Sequence, residues 1–180
     1  MSEKLAIADL LPLPNYSTKI PRLGFGVYQS STSQCVQSCL NALQAGYRHI
    51  DTAQFYANEA EVGKAVRDFG IKRSDVFLTT KILSASGSVQ KSYEKCLASV
   101  EKIDSGEDGY VDLFLVHSPN SGKEKRKEMW LALERLYNEG KVKSIGVSNY
   151  GVGHIEEMRS YAKIWPPQVN QIEVGCVHPS

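Results

Sequence analysis

Four side chains that can carry or transfer a proton, Asp51, Tyr56, Lys81 and His117, stand at or just beyond the ends of predicted strands. A phenol, with a reference pKa of about 10, is a poor proton donor at neutral pH unless a cation favours its phenolate form. Lys81 can supply that charge, and Asp51 can hold the ammonium by an ion pair and point it at Tyr56. The neutral imidazole of His117 can donate a hydrogen bond to a carbonyl oxygen. Together they predict an acid that protonates an oxygen as negative charge develops on it.

Each of these residues also has an ordinary structural explanation. A strand-end aspartate usually caps a helix, and a lone histidine usually makes a structural hydrogen bond. A lone lysine is usually solvated and a loop tyrosine usually packs its ring. Ser148 and Asn149 add polar side chains at the end of a further predicted strand. The coincidence at successive strand ends favours a functional site over these separate explanations.

The elements that must position these residues alternate between strand and helix. Asn58, with Glu61 three residues later, suits the start of a helix, and residues 1–19 are expected to form a small extension or hairpin. Strands are predicted at residues 23–28, 47–50, 76–80, 111–116, 142–147 and 168–174. Helices are predicted at residues 33–45, 59–69, 123–138 and 153–163, with a further one that carries Val89 to Val100.

A repeat of about 30 residues, each a strand plus a helix, is typical of parallel βαβ architecture. Right-handed crossovers leave two options, a doubly wound sheet or a closed barrel. Gly24 and Gly26 do not fit the G-x-G-x-x-G fingerprint, because Gln29 stands where its third glycine belongs, and no P-loop motif occurs. We therefore favour an α/β fold of the (β/α)8 TIM-barrel class, in which the carboxyl ends of the strands meet at one mouth.

The bulk composition excludes several classes of function. The 180 residues are 42% hydrophobic and 23% charged, with a formal net charge of +1, which predicts one globular domain and gives no case for nucleic acid or an anionic membrane. No apolar run approaches the ~20 residues that a membrane helix needs. We expect a cytoplasmic protein with a small-molecule partner. The cysteines Cys35, Cys39, Cys96 and Cys176 are expected to be free thiols.

Longer motifs lie around the candidate residues. They are Ile20-Pro-Arg-Leu-Gly-Phe-Gly26, Gly46-Tyr-Arg-His-Ile-Asp-Thr-Ala53 with Tyr56 and Asn58-Glu59, Lys81, Leu113-Phe-Leu-Val-His-Ser-Pro119, Gly140-Lys-Val-Lys-Ser-Ile-Gly-Val-Ser-Asn149 and Val169-Asn-Gln-Ile-Glu173. Through these motifs the chain resembles the aldo-keto reductases from about residue 20 to residue 173, in the family's order and spacing.

The resemblance implies a barrel that binds NADPH in extended form at its mouth and passes hydride to an aldehyde or ketone, giving an alcohol. By position, Tyr56 would be the proton donor, Lys81 and Asp51 would lower its pKa, and His117 would bind and orient the substrate carbonyl. No metal is implied. The resemblance implies a cofactor site made by Gly26, Val27, Tyr28, Asp51, Ser148, Asn149 and Gln171, in which Ser148, Asn149 and Gln171 hold the nicotinamide carboxamide.

A complete barrel of eight units typically needs about 250 residues, and five units plus a sixth strand fill this chain. We expect residues 1–180 to form a single reductase-like domain that is incomplete at the C-terminus. The resemblance places the segment for the adenosine 2′-phosphate on later strands. An open barrel would expose the edges of its first and sixth strands, which favours self-association.

Two alternatives remain open. The same scaffold could serve as a non-catalytic binding or regulatory module, which would bind cofactor without turnover. A different barrel enzyme could form a Schiff base at Lys81, in which case borohydride would trap a ketone on that lysine.

Overall fold

A computed structural model describes residues 6–7, 9–13 and 18–174 of the chain. Strands and helices alternate from residue 25 onward, after a short antiparallel strand pair. The strands are β1 (Leu10–Pro12), β2 (Lys19–Pro21), β3 (Phe25–Gly26), β4 (His49–Asp51), β5 (Phe77–Ile82), β6 (Val111–Val116), β7 (Val142–Ser148) and β8 (Asn170–Gln171). The helices are α1 (Thr32–Gln44), α2 (Glu59–Phe69), α3 (Val89–Ile103), α4 (Lys123–Asn138) and α5 (Val152–Met158).

The strands β3 to β8 form one parallel sheet in which each strand pairs with the next along the chain. This order is that of a barrel wall. A doubly wound sheet would instead reverse its strand order at a switch point. The sheet is a half-barrel that matches the wall of a TIM barrel, so the predicted fold class is confirmed. β1 and β2 pair with Leu10 opposite Pro21, which agrees with the hairpin expected at the start of the chain.

Several predicted elements have different bounds in the structure. β5 continues two residues beyond the predicted end at residue 80, so Lys81 lies inside the strand. The extension forms because Ile82 still pairs with Val116 of β6. β3 and β8 have only two residues each. α5 ends at Met158 because the chain beyond it turns towards α4, where the backbone N–H groups of Lys163 and Ile164 donate to Glu134.

The main core lies between the outer face of the sheet and the helices. Trp130 and Leu133 of α4, for example, pack there with Phe114 of β6, and all three are at most 1% exposed. The inner face of the sheet carries alternate residues, as strand geometry requires. Its lower part is apolar, with Phe77, Leu113 and Leu115 packed together, and its upper part carries the polar residues of the candidate site.

Gly146 on β7 shows how closely the strands approach. A Cβ there would lie 2.5 Å from the carbonyl oxygen of Val169, so only glycine lets β7 and the segment leading to β8 approach so closely.

Cys35, Cys39 and Cys96 are buried free thiols, as predicted, while Cys176 lies outside the described residues. Within residues 6–7, 9–13 and 18–174, no helix is long and apolar enough to cross a membrane.

Candidate active site

Lys81 and Asp51 form an ion pair at the upper inner face of the sheet. The ammonium of Lys81, whose side chain is 1% exposed, donates to Asp51 Oδ1 and also to the Thr52 carbonyl oxygen at 3.0 Å. Asp51 ends β4, and its second oxygen accepts from Gln171 Nε2 at 2.8 Å. Burial lowers the pKa of Lys81, and the Asp51 carboxylate opposes that effect. The pairing predicted from sequence is thus present, with Gln171 as an additional partner.

Tyr56 lies in a 3-10 turn, Gln54–Tyr56, that follows β4. The ring centroid of Tyr56 is 5.1 Å from Lys81 Nζ, 5.0 Å from the ring of Tyr28 and 5.6 Å from that of His117. Burial, followed by the charge of Asp51, raises the pKa of Tyr56 to about 12. This direction is opposite to the one implied by the resemblance, because burial disfavours the phenolate and the negative charge of Asp51 adds to that effect. The raised pKa keeps the phenol protonated at neutral pH, but it also makes free Tyr56 a weaker acid than an ordinary phenol.

His117 follows β6 and faces the ring of Tyr56 edge-on. Burial, and next the charge of Lys81, lowers the pKa of His117 to about 4, so the imidazole is neutral at pH 7, as its predicted role requires. Its Nδ1 is buried and has no hydrogen-bond partner in the described part of the chain. The ring therefore retains a buried polar atom that no described group satisfies.

Ser148, Asn149 and Gln171 lie together at the ends of β7 and β8, as the resemblance implies. Asn149 has a left-handed backbone with φ of 58°, a conformation that asparagine adopts more readily than most residues. Its N–H donates to the Gln171 carbonyl oxygen at 2.9 Å, and its Nδ2 donates to Ser148 Oγ at 3.2 Å. This arrangement keeps hydroxyl and amide groups of two strand ends at one edge of the site.

The segment from Gly26 to Tyr28 divides into two parts. Gly26 is exposed and would have nothing within 4 Å of an added Cβ, and Tyr28 is 59% exposed. The resemblance implied that Val27 contacts the cofactor, but its side chain lies within the core and is 1% exposed. Its N–H donates to the Asp51 carbonyl oxygen and its own carbonyl accepts from Asn58. Val27 therefore anchors the segment, while its two neighbours face open space.

A cavity of about 750 Å³ opens at this end of the sheet. Its lining brings the phenol and imidazole together with the polar strand ends; it comprises Tyr28, Phe55, Tyr56, Leu83, His117, Ser118, Ser148, Asn149, Gln171, Ile172 and Glu173. Another cavity, of about 390 Å³, lies at the amino ends of the strands and is lined by none of the predicted site residues. The candidate chemistry is therefore confined to the carboxyl ends, as in TIM-barrel enzymes.

Some buried polar residues of the site were not identified from sequence, or were interpreted differently. Asn58 is the N-cap residue of α2, as expected, and its carbonyl oxygen accepts from the Val62 N–H at 3.1 Å, but its side chain makes no capping hydrogen bond. Asn58 instead accepts from Thr52 Oγ1 at 2.6 Å and donates to the carbonyl oxygens of Val27 and Ser30 at 3.0 and 3.2 Å. Asn170, next to Gln171, exchanges hydrogen bonds with the backbone of Tyr150. The contacts of Asn58 with Val27 and Ser30, and of Asn170 with Tyr150, join residues 20 or more positions apart, and local spacing carries no signal for them.

Comparison with known proteins gives a consistent result. The model of the Aldo/keto reductase family matches residues 22–179. The chain is 39% identical over 170 residues to glyoxal reductase of Bacillus subtilis, which covers 93% of this chain and 59% of that protein. The first four curated relatives are covered over 54% to 61% of their length, so the chain spans about three fifths of the relatives it matches.

Solved structures agree with the sequence comparison. A crystal structure of an aldo/keto reductase from Brucella melitensis superposes with a TM-score of 0.85 at 40% identity, over 93% of this chain and 63% of that one. A Bombyx mori aldo-keto reductase in complex with NADP superposes with a TM-score of 0.80 at 30% identity, over 94% of this chain and 59% of that one.

Proposed function

The chain belongs to the aldo/keto reductase family of oxidoreductases, and we propose that it reduces the carbonyl group of an aldehyde or ketone with NADPH. The observation that carries the proposal is the meeting of Tyr56, His117 and the Lys81–Asp51 pair beside one cavity. A protonated phenol, a neutral imidazole and a held ammonium are the groups that a carbonyl oxygen needs as it gains negative charge.

Several residues fit the nicotinamide end of the cofactor. Ser148, Asn149 and Gln171 present hydroxyl and amide groups to the cavity, which match the donors and acceptors of a carboxamide. Open space at Gly26 and the exposed Tyr28 leave room along the first strand end. The Bombyx mori relative was solved with NADP, which supports this choice of cofactor. When bound, NADPH supplies the hydride.

The chain's own residues would then handle the oxygen and its proton. His117 donates a hydrogen bond to the carbonyl oxygen and orients it. Tyr56 transfers its phenolic proton to that oxygen as negative charge develops there. The phenolate that remains is stabilised by the nearby ammonium of Lys81, which Asp51 keeps charged. The raised pKa of free Tyr56 means that this proton leaves only when a strongly basic oxygen forms beside it.

The Schiff-base alternative fits the site less well. Lys81 donates to two acceptors and its side chain is 1% exposed, so its amine is not free to attack a ketone. The binding-module alternative has one observation in its favour. β3 and β8 each pair with a single strand in the described part of the chain, and such open edges can recruit another chain. We propose that self-association through these edges accompanies either role, and light scattering would detect it.

The proposal is tested by titrating the 180-residue protein with NADPH, followed by fluorescence, and by assaying turnover of aldehydes. The Tyr56→Phe variant should bind NADPH as the wild type does and lose about 100-fold or more in kcat, since only the proton donor is removed. Tyr137→Phe, on α4 outside the cavity, is the matched control and should keep full activity.

Equal activity of Tyr56→Phe and wild type would refute the role of the phenol. Binding without turnover by the wild type would support the binding module instead.

A further inference from the structure

Glu59 is a buried carboxylate that the proposed chemistry does not use. It lies in the first turn of α2 and is 3% exposed. Its Oε1 accepts from Thr80 Oγ1 at 2.6 Å and its Oε2 accepts from Ser99 Oγ at 3.1 Å. The cation that pairs with it, Lys102 at 3.9 Å, has a side chain that is 58% exposed. The carboxylate is thus held by two hydroxyl groups between α2, α3 and β5.

Packing does not explain a carboxylate at this place. Burying a charged group costs free energy that its hydrogen bonds only partly offset, and an apolar residue of similar volume is often as stable or more so. Burial raises the pKa of Glu59, and the hydroxyl groups of Thr80 and Ser99 oppose that effect. A specific geometric task is therefore a better explanation for this residue than packing.

The partners of Glu59 lead to both sides of the candidate site. Thr80 directly precedes Lys81 on β5. Ser99 Oγ also accepts from Gln54 Nε2 at 2.9 Å, and Gln54 begins the 3-10 turn that carries Tyr56. Ser99 Oγ accepts a hydrogen bond from Gln54 and uses its own hydroxyl hydrogen to donate to Glu59. The group at the end of this series of hydrogen bonds must therefore be an acceptor. A carboxylate, which only accepts, meets that requirement twice.

We propose that Glu59 is a positioning residue that sets the distance between the Tyr56 phenol and the Lys81 ammonium by holding Ser99 and Thr80. The catalytic consequence rests on the proposed function, whereas the positioning itself concerns only the folded chain. An amide in place of the carboxylate presents a donor to one of the two hydroxyls, so one link of the network must reverse or break. A displacement of about 1 Å of a reacting group can lower a rate by about 100-fold.

The test uses the full chain labelled at the ring Cζ of tyrosine, with Tyr56 assigned by the loss of its signal in Tyr56→Phe. The variants are Glu59→Gln and the smaller change Ser99→Ala. Glu134→Gln is the matched control, because Glu134 is also a buried carboxylate, 4% exposed, and accepts from Trp130 Nε1 and two backbone N–H groups of the chain after α5.

We expect the Tyr56 signal to shift or broaden in Glu59→Gln and Ser99→Ala and to keep its position in Glu134→Gln, at similar losses of stability. In an active protein, kcat should fall by about 10-fold to 100-fold at nearly constant KM. A Tyr56 signal that responds no more to Glu59→Gln and Ser99→Ala than to the control would overturn the proposal. An inactive wild type would refute the proposed function, yet the signal would still decide the role of Glu59.

Discussion

Replacing Asp51 by asparagine should cost the protein more stability than removing Lys81 itself. Asp51→Asn removes the negative charge that compensates the ammonium of Lys81, 1% exposed, and leaves only neutral acceptors, the Thr52 carbonyl and the amide oxygen of the asparagine. Lys81→Met removes the charge and most of its burial cost, and Asp51 keeps Gln171 Nε2 at 2.8 Å and a side chain that is 14% exposed. An uncompensated buried charge is more costly than an absent ion pair.

The magnitudes follow from these environments. Removing one partner of a buried ion pair typically costs about 3–5 kcal/mol, and we expect about 3 kcal/mol for Asp51→Asn because of the partial exposure. Lys81→Met should cost about 1 kcal/mol, as a long apolar chain fills the same space. The double variant should cost about 1–2 kcal/mol, well below the sum, which gives a coupling energy of about 2–3 kcal/mol. Asp68→Asn, in the exposed pair with Lys64, should cost about 0.5 kcal/mol or less.

Urea unfolding at pH 7 and at about pH 9.5 measures these differences. Burial already lowers the pKa of Lys81, and loss of Asp51 lowers it further. The unfolded state then binds the lysine proton more readily than the folded state, so stability rises as pH rises towards the unfolded value of about 10.5. Asp51→Asn should therefore recover stability relative to wild type at the higher pH. If Lys81→Met proved the more costly change, or if Asp51→Asn recovered nothing, the ammonium would not be a buried, compensated charge.

Two further predictions concern packing and acid stability. Gly63→Ala should destabilise the protein by about 1–3 kcal/mol, because the new Cβ would lie 2.3 Å from the carbonyl oxygen of Ile103. Gly153→Ala on α5 is the control and should be neutral or stabilising, because its Cβ would meet nothing within 4 Å. Equal urea midpoints for the two variants would contradict the close contact of α2 and α3. Burial lowers the pKa of His49, 7% exposed, to about 4, so its contribution of ~3 kcal/mol is present above pH 6.5 and lost as pH falls through 4. His49→Gln should flatten that part of the pH profile, and an unchanged slope would show that other groups cause the acid loss.

Much of the architecture could be predicted from sequence because it depends on local periodicity. The helix bounds Glu59–Phe69 and Lys123–Asn138 and the strand Val111–Val116 agree with the structure, since apolar spacing and terminal glycines act within a few residues. The short strands β3 and β8 were predicted as longer than they are. Their bounds depend on where neighbouring strands stop pairing, and this information lies elsewhere in the chain.

The sequence by itself determined the order of βα units, and hence that Asp51, Lys81, His117 and Ser148 would meet at one edge of a parallel sheet. The tertiary structure decided how these groups affect each other. Asn58 remains at the start of α2, but its side chain hydrogen-bonds Thr52 and the Val27 carbonyl oxygen and does not cap the helix. The tertiary structure also raises the pKa of Tyr56, because burial and then the charge of Asp51 outweigh the effect expected from a nearby cation. Electrostatic effects depend on distance and water exclusion, and both are settled only when distant segments pack.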